Sequence, residues 1–228
     1  MTVMYPADSN NKPGLWHDGW LLSASALRSE NFGPRPVDAH IDLLVLHSIS
    51  LPPGHYLGDA VHQLFTNQLD WSAHPYFKQI EGLRVSAHFF IRRNGAIWQF
   101  VSCDDRAWHA GQSCYRGRDN CNDDSIGIEL EGLEGEPFED AQYAALHHLC
   151  LIIFQRYPIA HIAGHEHIAT GRKFDPGPGF DWLRLQRSLQ LEDRYLPLSA
   201  MRDAPGEQDC SAAPMASGEA KNTKQKAR

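Results

Sequence analysis

Residues 164–180, GHEHIATGRKFDPGPGF, hold side chains that could bind a metal ion or stabilise charge in a reaction. His165 and His167 lie two positions apart, and so do Lys173 and Asp175. Because a proline follows Asp175, this aspartate is disfavoured in helical backbone, and in an extended chain it projects to the same side as Lys173. The carboxylate could bind a metal and the ammonium could stabilise an oxyanion, although a surface ion pair in a turn has the same spacing.

The spacing of the two histidines does not decide which of them would hold a metal. They would share a side in an extended chain, and they lie two rather than four positions apart, unlike the H-E-x-x-H helix of zinc proteases. Two histidines and an aspartate suit zinc, which keeps a position for water when three protein groups bind it, although other divalent metals accept such ligands. This set would support metal-assisted hydrolysis.

Two predicted strands upstream carry further candidates. The apolar run at residues 41–47 predicts a buried strand that ends in His47, which is where open sheets place their sites, although a structural histidine fits there too. Residues 125–132 alternate, with Ile126, Ile128 and Leu130 on one face and Ser125, Gly127, Glu129 and Glu131 on the other. If the polar face lines a cleft, Glu129 or Glu131 could act as a general base; if it faces solvent, both are ordinary surface residues.

The remaining periodicities predict the elements that must position these residues. Asn94-Gly95 within residues 85–101 is a strong hairpin signal. Helical spacing of apolar residues predicts helices within residues 52–70, 139–158 and 180–192, the second with a core-facing stripe of Tyr143, Leu146, Cys150, Ile153 and Tyr157. The predicted fold class is α/β, with a central mixed β-sheet flanked by α-helices.

Composition limits the class of protein. The chain has 228 residues, 42% of them hydrophobic, and a net charge of -7, so it can form one folded domain, predicted at residues 19–200. A loose N-terminal extension is predicted at residues 1–18 and a disordered tail at residues 201–228, because neither end can bury enough apolar surface. The five cysteines form no CxxC pair, which argues against a zinc ribbon and predicts reduced, mostly buried thiols.

The same composition excludes several partners. The acidic chain shows no basic stripe, so no nucleic-acid partner is expected. No apolar run approaches the ~20 residues of a membrane span, so no membrane partner is expected either. The N-terminal residues lack a charged start followed by an apolar stretch, which predicts a cytoplasmic protein, and we expect a monomer.

Seven segments, in order between residues 19 and 187, resemble a known family: VLHSISLPPG, HPYF, VSAHFFIRRNGAIWQFV, RAWHAG, CNDDSIGIELEG, DAQY and GRKFDPGP. They are similar to the zinc-dependent type 2 N-acetylmuramoyl-L-alanine amidases, and within them to the AmpD-type branch, the 1,6-anhydro-N-acetylmuramoyl-L-alanine amidases. The resemblance implies the central mixed sheet with flanking helices that phage amidases and peptidoglycan-recognition proteins share.

The activity implied by the resemblance is hydrolysis in cell-wall recycling. Such enzymes are cytosolic and cleave the amide between the lactyl group of 1,6-anhydro-N-acetylmuramic acid and the L-alanine of a soluble anhydromuropeptide. An amidase acting on intact peptidoglycan is one alternative, and a non-catalytic muropeptide-binding module is another. Recognition proteins of this fold that have lost activity typically lack a zinc ligand, whereas all three matching positions are present here, which favours an enzyme.

The resemblance also implies roles for individual residues. One Zn²⁺ would be held by His47, His165 and Asp175, with Glu129 as the acid–base group and Lys173 as the oxyanion donor. His167 becomes a neighbour of the site rather than a ligand.

Four residues are expected to bind substrate. Ser48 follows the metal histidine at a position where relatives usually carry asparagine. Arg84 could bind a stem-peptide carboxylate, and Trp108 and His109 could line the groove for the sugar. A surface ion pair for Arg84 and core packing for Trp108 are the alternatives.

Overall fold

A computed structural model describes residues 14–197 of the protein. In chain order its elements are β1 (Trp16–His17), β2 (Trp20–Leu21), β3 (Ser25–Ala26), β4 (Phe32–Gly33), β5 (Leu43–Ile49), α1 (Ala60–Phe65), α2 (Pro75–Gln79), β6 (Phe89–Ile91), β7 (Ile97–Gln99), β8 (Arg106–Ala107), β9 (Cys114–Tyr115), β10 (Arg118–Asp119), β11 (Ser125–Glu131), α3 (Asp140–Arg156), β12 (His161–Gly164), α4 (His165–Ile168), α5 (Trp182–Leu189) and a 3₁₀ turn (Asp193–Tyr195).

Six strands form the central sheet in the order β12-β5-β11-β6-β7-β3. The neighbours β12, β5, β11 and β6 run parallel, whereas β6 and β7 are an antiparallel hairpin. The central strand β11 is buried along its whole length and β5 along most of it, which explains the continuous apolar run of β5. The sheet is therefore mixed, and with helices on it the predicted fold class is confirmed.

Helices α3 and α5 cover one face of the sheet. The even-numbered apolar residues of β11 enter the same core cluster as the inner faces of these two helices. All five residues of the predicted α3 stripe are buried, which confirms the period-3.6 prediction for that segment. The helix starts after Glu139, whose backbone N–H donates to the Gln142 side chain at 3.0 Å.

A second cluster fills the opposite face beneath β6 and β7. It contains the apolar side of α1, which is much shorter than the helix expected within residues 52–70. The helix begins only after Asp59 and ends at Phe65, and two residues later Asn67 adopts left-handed backbone with a φ of 59°. The hairpin prediction is confirmed, with Gly95 at a φ of +83° in its turn.

Strand β1 lies before the predicted domain boundary at residue 19. Trp16 lies in β1, which pairs with β2, and its ring meets that of Tyr157 edge-on with centroids 5.8 Å apart. Residues 1–13 and 198–228 lie outside the described part, so the predictions of a loose extension and a disordered tail are untested there.

The cysteine prediction holds only in part. Cys103, Cys121 and Cys150 are buried free thiols, and burial raises the pKa of each. Cys114, in contrast, is disulfide-bonded, so the prediction of reduced thiols is wrong for this residue.

Within residues 14–197, none of the helices combines the length and the apolar character needed to cross a membrane.

Candidate active site

The candidate residues gather at the carboxyl ends of three adjacent parallel strands. His47 lies near the end of β5, Glu129 faces it in register on β11, and His165 directly follows β12. Side chains of in-register residues on parallel strands point to the same face, so His47 and Glu129 share a side of the sheet. Open sheets bind ligands at this edge, as predicted for His47.

Three ligand atoms converge there. Nδ1 of His47 lies 3.0 Å from Nδ1 of His165 and 3.2 Å from Oδ2 of Asp175. Nδ1 of His165 lies 3.1 Å from the same Oδ2, so the three atoms form a triangle. All three side chains are buried. Tetrahedral zinc with bonds of about 2.0–2.1 Å keeps its ligand atoms about 3.3 Å apart, so this triangle nearly has the required size. Two imidazoles and one carboxylate also match the ligand chemistry of zinc, so the residues fit the ion.

The protonation states suit metal binding. Burial lowers the pKa of His47 to about 4, assisted by the charge of His165 and opposed by Asp175, so its imidazole is neutral at neutral pH. Burial disfavours the charged form of Asp175, but the two imidazoles within 3.1–3.2 Å of its Oδ2 outweigh this effect and hold the pKa of the carboxyl far below its usual range. A neutral imidazole and an ionised carboxylate are the forms that bind metals.

The remaining nitrogen of each histidine has a partner on the loop after β8. Nε2 of His165 lies 3.0 Å from the carbonyl oxygen of Ala110, which can only accept, so this nitrogen carries the proton. Nε2 of His47 lies 2.9 Å from Nδ1 of His109. Hydrogen bonds of this kind orient metal-binding histidines.

Glu129 and Glu131 are both buried, so the solvent-facing alternative for this strand face is wrong. The carboxylate of Glu131 accepts hydrogen bonds from the backbone N–H of Leu57 at 2.5 Å and of Arg93 at 2.9 Å. Oε2 of Glu129 is buried and has no hydrogen-bond partner among the described residues. Glu131 is thus committed to two loops, and Glu129 has the free oxygen that a general base needs.

The electrostatic surroundings of Glu129 also suit proton transfer. Burial raises the pKa of Glu129 well above its usual value, the charge of Asp175 raises it further, and Lys173 opposes both. Lys173 is exposed, and its charge also lowers the pKa of His47. The positive charge of Lys173 therefore acts on both Glu129 and His47.

His167 lies apart from the triangle. Residues 165–168 form the short helix α4 rather than an extended segment, so the two histidines point in different directions. Nδ1 of His167 accepts a hydrogen bond from the backbone N–H of Gly164 at 2.9 Å, and its ring packs edge-on against Trp182. This side chain caps the helix that presents His165.

The four residues expected to bind substrate differ in their placement. Ser48 is half-buried next to His47 on the strand, and its Oγ has no hydrogen-bond partner in the described structure. Arg84 is exposed, and its Nε donates to Oδ1 of Asn31 at 3.3 Å. Trp108 is half-buried and belongs to none of the three apolar clusters formed by the described residues.

His109 is 8% exposed, and the side of His47 that it contacts is the one away from the ligand triangle. Its observed contact is thus with a metal-facing histidine, and the expectation that His109 lines the groove stays a prediction. Its ring also contacts Ser125 and fills the space above Gly127. Sequence reasoning placed Ser125 and Gly127 on the same face as Glu129, and that shared face was the signal that could have drawn attention to both.

Comparisons with known proteins agree with this geometry. A family model described as N-acetylmuramoyl-L-alanine amidase matches residues 37–178. The AmpD protein of Citrobacter freundii, a 1,6-anhydro-N-acetylmuramyl-L-alanine amidase, is 50% identical over 174 residues, which cover 75% of this chain and 93% of the relative. The enzyme of the same name from Escherichia coli K12 is 49% identical over 180 residues, which cover 78% of this chain and 98% of that enzyme.

A solved structure agrees as well. The crystal structure of a selenomethionine derivative of AmpD superimposes with a TM-score of 0.74 at 50% sequence identity. The match covers 76% of this chain and 98% of that one.

Proposed function

The chain belongs to the N-acetylmuramoyl-L-alanine amidase family, and we propose that it uses one Zn²⁺ to hydrolyse the amide between 1,6-anhydro-N-acetylmuramic acid and L-alanine in soluble anhydromuropeptides. The observation that carries this proposal is the buried triangle of His47, His165 and Asp175 beside the unpartnered oxygen of Glu129. A water held between them would be both positioned and deprotonated.

In this proposal Nδ1 of each histidine and the Asp175 carboxylate would hold the ion. When bound, zinc polarises the scissile carbonyl and makes a water more acidic. The protein supplies the rest. Burial and the two outer hydrogen bonds of the histidines hold the ligands ready before the ion arrives, so little ordering remains to be done on binding.

Glu129 takes the proton of the attacking water at Oε2 and returns it to the nitrogen of the departing alanine. Burial and the charge of Asp175 raise the pKa of Glu129, which makes its carboxylate a stronger base for the proton of the water. The exposed ammonium of Lys173, two residues before Asp175 in the chain, stabilises the negative charge that forms on the carbonyl oxygen. Ser48, Arg84 and Trp108 are proposed to contact the substrate around this centre.

The choice of a soluble anhydromuropeptide rests on the relatives. Those that match over nearly their whole length are named 1,6-anhydro-N-acetylmuramyl-L-alanine amidases. We therefore place the protein in cell-wall recycling, as a cytoplasmic monomer without nucleic-acid or membrane partners. The alternatives are an amidase that acts on intact peptidoglycan and a module that only binds muropeptides.

One experiment distinguishes these functions. The purified full-length protein is incubated with an anhydromuramyl tripeptide and, separately, with intact sacculi, and the released peptide is quantified by mass spectrometry. We expect release from the anhydromuropeptide. Equal or faster release from sacculi would overturn the substrate assignment, and binding without release would favour the non-catalytic module.

The metal is tested with a pair of variants in the same assay. Asp175→Ala should lose bound zinc and activity together. Asp181→Ala, which removes only the hydrogen bond that caps α5, should retain both. Wild-type activity in Asp175→Ala would contradict the ligand assignment.

A further inference from the structure

A row of buried polar side chains extends from the ligand triangle into the protein. Nε2 of His47 meets Nδ1 of His109 at 2.9 Å, and Nε2 of His109 meets Oγ of Ser125 at 3.2 Å. Oγ of Ser125 in turn donates a short hydrogen bond to the backbone carbonyl of Cys121. The two histidine rings meet edge-on, with centroids 5.0 Å apart.

The last member of this row determines the direction of every hydrogen bond in it. The carbonyl of Cys121 can only accept, so the single proton of the Ser125 hydroxyl is used there. Ser125 must then accept from Nε2–H of His109, which leaves Nδ1 of the neutral ring as an acceptor. That acceptor receives Nε2–H of His47, and Nδ1 of His47 therefore faces the triangle with a free lone pair.

The surroundings of His109 are built to hold its ring in this position. The side-chain oxygen of Asn122 accepts from the backbone N–H groups of His109 at 3.0 Å and of Ala110 at 2.8 Å. A Cβ on Gly127 would lie 2.5 Å from Cγ of His109, so only glycine leaves room for the ring against strand β11. One anchored loop thus supplies the outer partners of both metal-facing histidines, the ring for His47 and the Ala110 carbonyl for His165.

We propose that His109 and Ser125 are positioning residues that fix the tautomer of His47, so that Nδ1 of His47 is always the nitrogen offered to the metal. This inference rests on the proposed zinc site and adds two residues to it. Neither side chain touches substrate in this role. Without His109 and Ser125, the proton of His47 could occupy either nitrogen. The fraction of molecules with Nδ1 protonated could not bind the ion.

The test compares two replacements of the same ring. His109→Phe keeps the shape but removes both nitrogens, whereas His109→Asn keeps an oxygen close to the position of Nδ1. The dissociation constant for zinc is measured on the metal-free full-length protein by competition with a chromophoric chelator. We expect His109→Phe to weaken zinc binding about 10–100-fold, as for other partners of metal-binding histidines, and His109→Asn to recover most of the loss. A role in packing alone would give no such recovery.

A second readout needs no metal. Long-range ¹H–¹⁵N spectra of the histidine-labelled, metal-free protein report which nitrogen of each ring carries the proton. We expect Nε2–H on both His47 and His109 in the wild type, and a mixture of tautomers on His47 in His109→Phe. A proton on Nδ1 of His109, or wild-type zinc affinity in His109→Phe, would overturn the proposal.

Two further measurements separate the possible failures. If His109→Phe does not fold, Ser125→Ala takes its place, with a mixture of tautomers on His109 as the expected result and an unchanged spectrum as the contrary one. If the wild type binds no zinc, the proposed metal site is wrong. The spectrum of the metal-free protein still decides whether His109 and Ser125 fix the tautomer of His47.

Discussion

Replacing Glu129 and Glu131 by glutamine, one at a time, should separate chemistry from folding on a single strand. Glu129→Gln keeps the size of the side chain and removes the base. General bases typically contribute 10²–10⁴-fold, so we expect the rate to fall by about that factor. Stability should be unchanged or higher, because the buried Oε2 of Glu129 has no partner among the described residues and an unpaired buried carboxylate is unfavourable.

Glu131→Gln should have the opposite effect. Its carboxylate accepts two backbone N–H groups, from Leu57 and Arg93, and lies 3.8 Å from Nε of Arg92. Glutamine retains one acceptor oxygen and turns an NH₂ group toward the other donor, so one charge-assisted hydrogen bond is lost. That loss is worth about 1.5–3 kcal/mol, which for a domain of this size lowers Tm by roughly 3–12 °C. The rate per folded molecule should stay near that of the wild type.

The assay pairs initial rates on an anhydromuramyl tripeptide with thermal unfolding followed by circular dichroism. Rates are compared at a temperature well below the Tm of all three proteins, and zinc content is measured in each sample. A nearly full rate for Glu129→Gln would refute its role as the base. An inactive Glu131→Gln with unchanged Tm would show that the two roles are reversed.

Three further perturbations test other parts of the site and fold. Gly127→Ala should weaken zinc binding, since its Cβ displaces the ring of His109. Gly33→Ala should not, because its Cβ would meet no atom of the described structure within 4 Å. Lys173→Met should lower kcat about 10²–10³-fold with little change in Tm, measured in the same rate assay. His62→Leu should raise Tm, because both ring nitrogens of His62 are buried without partners among residues 14–197, a cost of about 1–3 kcal/mol.

The gain from His62→Leu should also depend on pH. Burial lowers the pKa of His62 below 6.5, so beneath that pH the unfolded chain binds a proton at this residue more readily than the folded protein does. Wild-type stability therefore falls as the pH drops through this range, and the leucine variant lacks that loss. The difference in Tm should be larger near about pH 5.5 than near about pH 8, and an equal difference at both would contradict the argument.

The elements that could be predicted from the sequence are those whose burial repeats with a regular period. Strand β11 alternates and α3 steps by three and four, since each packs one face against the same core. The hairpin at Asn94-Gly95 was predictable from its turn residues alone. Helix α1 was overestimated because apolar residues continue beyond the point where Asn67 turns the backbone out of the helix.

The chemistry of the site depends on contacts that no local pattern contains. Alternation put Glu129 and Glu131 on one face, but the difference between them comes from Leu57 and Arg93, which lie 74 and 38 residues before Glu131. Resemblance to a family suggested the ligand set without any geometry. It also left His109 as a groove residue, because nothing in its own segment indicates that its ring lies behind His47.

The polar face of β11 explains why the site lies where it does. A strand buried on both faces must satisfy every polar side chain that it carries. Ser125 does so by holding His109, Gly127 makes room for that ring, and Glu131 ties two loops to the sheet. Glu129 is the exception, with a buried oxygen that no described residue satisfies. Since the neighbouring positions are already committed, this unsatisfied carboxylate is the one group on the face that is free to exchange a proton with water or substrate.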